Sequence, residues 1–298
     1  MLRFPSMIRL TPGLKLILFL FIILLFGCAE EDAEVQQDFS IAIEEFDITY
    51  GSDELQTYDL FLPSGRSSTT TDLVLLIHGG GWTSGDKSDI DGIVDLLQST
   101  MPDYAIANMN YRLDIDPNEL FVDHMDDVDA VINNLMEQSN ELGISNDIML
   151  AGISAGGHMT LLYAYSRNEN DYVKLAGNII GPTNFLDPSY VDSDNPTFIA
   201  TISAIVAATG RPLKDTDFYN AVSPIHFVDN STIPTIQFLG DEDPLIPVTQ
   251  GTSLQDELNN SGIANDLIIY EGEGHGWTDP DNWTDTAERF AAFVDANM

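Results

Sequence analysis

The stretch Gly152-Ile153-Ser154-Ala155-Gly156 sets one hydroxyl between two glycines, two positions away on either side. An apolar run, 147–151, leads into it, and a helix-like stretch from Met159 follows. A serine hydroxyl is a poor nucleophile until a base takes its proton, and that base needs an acid to orient it. In the spacing Gly-x-Ser-x-Gly the serine occupies a sharp strand-to-helix turn, with its side chain above the sheet. Flanking glycines remove β-carbons that would collide across such a turn. The helix beyond it offers free N–H groups and the positive end of its dipole. Ser154 therefore reads as a nucleophile, which obliges the rest of the chain to supply an imidazole, a carboxylate and N–H donors for an oxyanion.

The chain has five histidines, so the base can be sought among all of them. His78 ends a strand and opens a glycine run, which suits bracing the backbone. His124 lies within a long helix, in a surface or packing role. His158 stands four residues after Ser154 on the same helix, buried against the sheet rather than above it. His226, after Ser223-Pro224-Ile225 in an irregular segment, stays open as an alternative. His275 sits in the glycine-rich loop "EGEGHGW" (271–277), directly after a buried strand, and can be carried over the sheet edge.

For the acid, "LGDEDPLIP" (239–247) offers Asp241, Glu242 and Asp243 at the C-terminal end of a strand, where open α/β sheets place ligands. Asp243 is favoured because Pro244 biases it toward an extended backbone; Asp241 comes second, as a turn-maker. The order Ser154, Asp243, His275 is nucleophile, acid, base. "HGGGW" (78–82) leaves another strand with three glycines. Gly80 and Gly81, with Ala155 just past the nucleophile, are the expected oxyanion donors. Trp82 could line the acyl pocket or pin the glycine loop. Arg112 reads as a structural salt-bridge partner and "GDK" (85–87) as a structural turn.

These residues need a scaffold. From about residue 40 onward strand-like and helix-like segments alternate, which favours a single α/β domain with a mostly parallel sheet. Segments 41–50 and 56–63 alternate apolar and polar residues, as half-exposed antiparallel strands do. A continuous apolar run at 73–77 reads as a strand buried on both faces, and further strands are expected over 104–113, 147–152, 175–180, 235–240 and 266–272. Helices are expected over 89–99, 118–142, the residues after Ser154, 248–260 and 283–296. The longest carries Val122, Met125, Val128, Val131, Ile132 and Leu135 on one side. Residues 182–224 break the rhythm with five prolines and a short apolar helix near 198–208, a candidate lid.

Charge and cysteine usage narrow the setting. Eleven Lys+Arg stand against 48 Asp+Glu, a net charge of −37 that repels polyanions and excludes nucleic acid as a partner. The acids are dispersed, as on a solvated acidic surface. The single cysteine, Cys28, allows neither an intrachain disulfide nor a cysteine metal site. Arg3, Arg9 and Lys15 precede an apolar run, Leu16 to Phe26, that falls short of the roughly 20 residues of a membrane span. That is the pattern of an export signal. "LFGC" (25–28) resembles the cleavage box of bacterial lipoprotein signals, which implies a lipidated Cys28 and attachment to the outer membrane or cell surface. The expected organisation is a signal over 1–27, a polar tether over 28–39 and a catalytic domain over 40–298.

Together "HGGGW…GDK", "NYRL" (110–113), "GISAGGH" (152–158), "SPI" (223–225), "GDEDPLIP" (240–247) and "GEGHGW" (272–277) resemble the α/β-hydrolase superfamily. Within it the chain is similar to carboxylesterases of the hormone-sensitive-lipase and bacterial feruloyl- and acetyl-esterase-like groups, over residues 40–298. The resemblance implies an eight-stranded, mostly parallel sheet flanked by helices, and a triad of Ser154, Asp243 and His275. It also implies hydrolysis of short-chain or aryl esters through an acyl-enzyme, on small molecules or on acetyl or feruloyl groups of polysaccharide, with no cofactor and no metal. Leu239 departs from the pattern, since relatives often carry histidine there; the triad is unaffected. An arylformamidase or other amide hydrolase would use the same triad. A non-catalytic binding protein on this fold would usually have lost one of its members.

Overall fold

The computed structural model describes residues 38–298 apart from Asp114 and Asn118, so the expected signal, Cys28 and most of the tether lie outside the described residues. The strands are β1 (Ile43–Thr49), β2 (Thr57–Leu62), β3 (Leu73–Ile77), β4 (Ala105–Met109), β5 (Ile148–Ile153), β6 (Val173–Ile179), β7 (Thr235–Gly240) and β8 (Asn265–Tyr270). They form one sheet in the order β1-β2-β4-β3-β5-β6-β7-β8. β1 pairs with β2 and β2 with β4 antiparallel; every later pair is parallel. The alternating residues of β1 and β2 suit the partly solvated end of the sheet, whereas every residue of β3 and β4 is buried.

Helices of ten residues or more are α1 (Asp91–Thr100), α2 (Leu120–Glu137), α3 (Ala155–Ser166), α4 (Pro196–Thr209), α5 (Thr249–Ser261) and α6 (Pro280–Asn297). α1 and α6 close one face of the sheet through Val94, Leu97, Phe290 and Val294. α2, α3 and α5 close the other, through Met125, Val128, Met159, Leu162 and Leu254. Among the described residues no helix is long and apolar enough to cross a membrane.

Three details differ from expectation. The strand before the His275 loop, read as buried, is β8 at the edge of the sheet, mostly half-exposed, with Ile269 41% exposed. The helix expected over 118–142 ends at Glu137, and a separate turn of helix, Ser139–Leu142, is capped by Gly143 at φ 69°. Val122 is 47% exposed, not on the buried side. At 3.6 residues per turn the stripe Phe121, Met125, Val128, Ile132 and Leu135 leaves Val122 about a third of a turn away.

Register brings the working ends together. Ile77 of β3 lies opposite Gly152 of β5, Ile179 opposite Phe238, and Gly240 opposite Tyr270. The loops that carry the candidate residues therefore leave one edge of the sheet side by side.

The "GDK" turn is structural, as read. The Asp86 side chain accepts from the Ser88 N–H and caps the turn that leads into α1. Lys87, 7% exposed, reaches back to β2, where its Nζ donates to both oxygens of buried Asp59 at 2.7 and 2.8 Å. It also bonds Asp47, whose side chain is 74% exposed. Burial alone would lower the Lys87 pKa; the hydrogen bonds to Asp47 and Asp59 outweigh it and raise the value. Asp59→Asn leaves the buried Lys87 cation with only the largely solvated Asp47 carboxylate as a charged partner and should cost about 3 kcal/mol. Asp47→Asn should cost less than about 1 kcal/mol. Denaturant unfolding of the two variants checks the contrast.

Candidate active site

Ser154 adopts φ 55° and ψ −117°, a conformation that side chains rarely take, between the end of β5 and the first turn of α3. Its N–H donates to Ile179 O at 2.8 Å, and its carbonyl accepts from the His158 N–H at 3.0 Å. The flanking glycines are required. A β-carbon on Gly152 would lie 2.3 Å from Gly156 O, and one on Gly156 would lie 2.2 Å from Ile77 O.

Three distant side chains meet above this turn. The Ser154 Oγ–H points to His275 Nε2 at 2.8 Å, and the His275 Nδ1–H donates to Asp243 Oδ2 at 2.8 Å. The other carboxylate oxygen of Asp243 accepts from the N–H groups of Leu245 (2.7 Å) and Ile246 (3.0 Å), so both oxygens have fixed tasks. Asp241 accepts from the Gly272 N–H at 2.6 Å and holds the two loops together, while Glu242 is exposed. His226 is exposed on a short turn, Pro224–Phe227, away from the trio.

The glycine loop after β3 has a directed backbone. The Gly79 carbonyl accepts from His78 Nδ1–H (2.6 Å) and from Tyr111 Oη–H (3.2 Å). The Gly80 carbonyl accepts from Ser84 Oγ–H (2.6 Å) and Ser84 N–H (3.1 Å). In a planar trans peptide the carbonyl and the following N–H point opposite ways. Fixing those two oxygens thus fixes the N–H groups of Gly80 and Gly81 on the other side, along a segment that lines the cavity over Ser154. Among the described residues no acceptor takes the N–H of Gly80, Gly81 or Ala155. Gly80 (φ 118°) cannot carry a side chain, since its β-carbon would lie 1.8 Å from Ser84 O.

The remaining histidines support the backbone. His78 stacks on Tyr111, with ring centroids 4.3 Å apart. His124 donates to Arg112 O, and Arg112 itself clasps buried Asp127, the salt bridge expected of it. His158 is buried on the α2 and α3 side of the sheet, in an aromatic cluster with Trp82, Phe121 and Phe185. Its Nδ1 accepts from Trp82 Nε1–H at 3.2 Å and its Nε2–H donates to Val222 O at 2.8 Å. Trp82 pins the glycine loop in this way and also contributes to the cavity wall.

Sequence reasoning did not single out Tyr111, Ser84 or Glu273. Glu273, two residues before His275, accepts from the N–H groups of Thr278 and Asp279 and from Asn282 Nδ2, fastening the histidine loop to the start of α6. Those backbone bonds hold its carboxyl down to about 2. An acid beside a loop histidine and just ahead of a Pro-initiated helix was the available signal.

A cavity of about 1210 Å³ opens over Ser154 and His275. Its walls are the glycine loop, Ile93 and Leu96 of α1, Leu245 and Ile246 of the acid loop, and Trp283 of α6. Thr201, Ala204, Ile205 and Ala208 of α4 complete it, so the 182–224 excursion does border the site. Among the described residues no cluster of His, Cys, Asp or Glu is arranged to hold a metal ion.

The BD-FAE family model matches residues 58–258. Esterase LipC of Mycobacterium tuberculosis is 23% identical over 245 residues, which is 77% of this chain and 59% of that protein. The chain thus spans less than two thirds of that curated relative. Among solved structures, a truncated carbohydrate esterase from gut microbiota superposes with a TM-score of 0.70 at 19% identity, covering 87% of this chain and 98% of that one. Inhibited esterase B of Lactobacillus rhamnosis gives 0.67 at 20% identity, covering 89% of each. Both share the α/β-hydrolase fold.

Burial lowers the pKa values of His124 and His158 to about 4. Between pH 6.5 and 4 the unfolded chain takes up protons that these rings refuse when folded, so this contribution to stability falls as pH falls. It amounts to about 3 kcal/mol for each ring once pH is below 4. Acidification also relieves repulsion among the carboxylates, so the ring is isolated by difference. The stability gap between wild type and His158→Gln should narrow or reverse from pH 7.5 to pH 4.5 in urea unfolding; a constant gap contradicts the assignment.

Proposed function

The chain belongs to the BD-FAE family, and on that premise we propose that it is a serine ester hydrolase acting through an acyl-enzyme on short-chain or aryl esters. The observation that carries this reading is the unbroken chain of two 2.8 Å hydrogen bonds from Ser154 Oγ through His275 to Asp243. His275 Nε2 takes the hydroxyl proton as Oγ attacks the ester carbon. The carbonyl oxygen becomes an oxyanion facing the N–H groups of Gly80, Gly81 and Ala155, each donor worth about 10²–10³ in turnover. His275 then gives the proton to the departing alkoxide, leaving an acyl group on Ser154. Water, deprotonated by the same imidazole, releases the acid and restores the serine. Asp243 holds the ring in the tautomer with Nδ1–H and stabilises its cationic form.

Esterase LipC and the carbohydrate esterase support an ester and allow a small-molecule or sugar-linked substrate. Two other curated relatives, of 26% and 22% identity, are named as a dipeptidyl peptidase and a dipeptidyl aminopeptidase and keep the amide as the second reading. We also propose that Cys28 carries a lipid and tethers an exported enzyme to the cell envelope, on the strength of the basic start, short apolar run and "LFGC" alone.

A fluorophosphonate probe should label the wild type and leave Ser154→Ala unlabelled; equal labelling of both removes the nucleophile. Asp243→Asn should lower kcat by about 10⁴ on an aryl acetate. Faster turnover of anilides than of matching esters would favour an amide hydrolase. Expressed in its host, Cys28→Ser should move the protein from the detergent phase to the aqueous phase.

A further inference from the structure

Resting on the ester-hydrolase reading, we infer that the arm of the cavity between α1 and α6 receives an apolar substituent of the ester, and that Leu96, with Ile93 and Trp283, sets how large it can be. The arm is walled by Ile93 and Leu96 from one helix and Pro280, Trp283 and Thr284 from the other. Trp283 is held in place, since its Nε1–H donates to Trp277 O at 3.0 Å and its ring lies 5.5 Å from that of Trp277. What it presents to the arm is fixed indole carbon rather than a free donor.

Beyond the arm lies a second void of about 20 Å³ between the helices and the sheet. Ile93, Leu96 and Trp283 line both spaces and form the partition between them. The far side of the void is Leu76, Ile179, Phe238 and Phe290. Its one polar side chain is already engaged, for the Thr286 hydroxyl accepts from Trp277 Nε1–H (3.0 Å) and donates to Asn282 O (2.8 Å). A void of this size could hold one water, yet offers it nothing to bond, so only apolar matter is welcome there.

The size and chemistry of the main cavity agree. At about 1210 Å³ it exceeds the usual 300–1,000 Å³ of a small-ligand site and is far larger than an acetyl group fills. Apart from His275, the only ionisable side chain on its wall among the described residues is Asp89. A bound sugar chain needs several convergent hydrogen-bonding groups, which this arm lacks. It fits an aryl or alkyl group, with any carbohydrate portion of the substrate outside.

The test measures kcat/KM for two series: p-nitrophenyl esters from acetyl to dodecanoyl, and acetate esters of alcohols of rising length. Leu96→Ala joins the arm to the void, and Leu96→Trp fills the arm. In one series the optimum of Leu96→Ala should move up by about two methylenes or more, and the long-to-short ratio of Leu96→Trp should fall about tenfold or more. Ile93→Trp should act like Leu96→Trp, and serves if the alanine variant does not fold. Unchanged profiles in both series, or a wild type fastest on the smallest group in both, overturn the inference. Fluorophosphonate titration of each protein separates the causes. Labelling with unchanged profiles sinks this inference alone; a wild type that neither labels nor cleaves any ester sinks the ester-hydrolase reading with it.

Discussion

The first turn of α3 rests on the end of β3 more closely than any side chain would permit, and the rest of the site follows from that contact. Gly156 packs against the carbonyls of Ile77 and His78, where a β-carbon would overlap both. Only with that approach can β5 reverse into a helix within one residue, leaving Ser154 at a positive φ that costs about 1–3 kcal/mol. The strain is sustained because β5 is central, hydrogen-bonded to β3 on one side and β6 on the other. The same contact sets the start of the glycine loop beside the serine, because that loop begins at the very carbonyls on which Gly156 rests. One steric condition therefore puts the Ser154 hydroxyl and unbonded N–H groups next to each other.

A second layer keeps those parts in register. Trp82 ends the glycine run, His158 lies one turn beyond Ser154, and Val222 closes the excursion that supplies α4. The hydrogen bonds Trp82–His158–Val222 join the three segments inside a dry aromatic cluster. Because the ring is wholly buried and neutral, it can accept on one nitrogen and donate on the other. A cation there would set two donors, indole and imidazolium, against each other.

The meeting of Ser154, His275 and Asp243 was legible in the sequence because each sits in a short motif whose turn chemistry is local: glycines around Ser154, a proline after Asp243, glycines around His275. The mostly parallel sheet followed from the βα alternation, and the excursion over 182–224, which borders the cavity, from its prolines. What escaped reading depends on pairings across the fold. Tyr111 acts on Gly79, 32 positions earlier in the chain, and nothing near either residue announces the bond. The exposure of Val122 is set by which side of α2 meets the sheet, and a regular apolar spacing passes over it. The division of the cavity between α1 and α6 is likewise a product of packing two helices that lie about 190 residues apart in the chain.

The acid loop has a consequence for how such a protein can diversify. Leu245 and Ile246 orient the Asp243 carboxylate through their backbone N–H groups, and the same two residues border the cavity. Any backbone shift made there to admit a new ligand would be felt at once by the imidazole. The helices α1 and α4 carry no such obligation. Drift in ligand preference across descendants of this chain should accumulate on those two helices, leaving the 243–246 segment comparatively frozen.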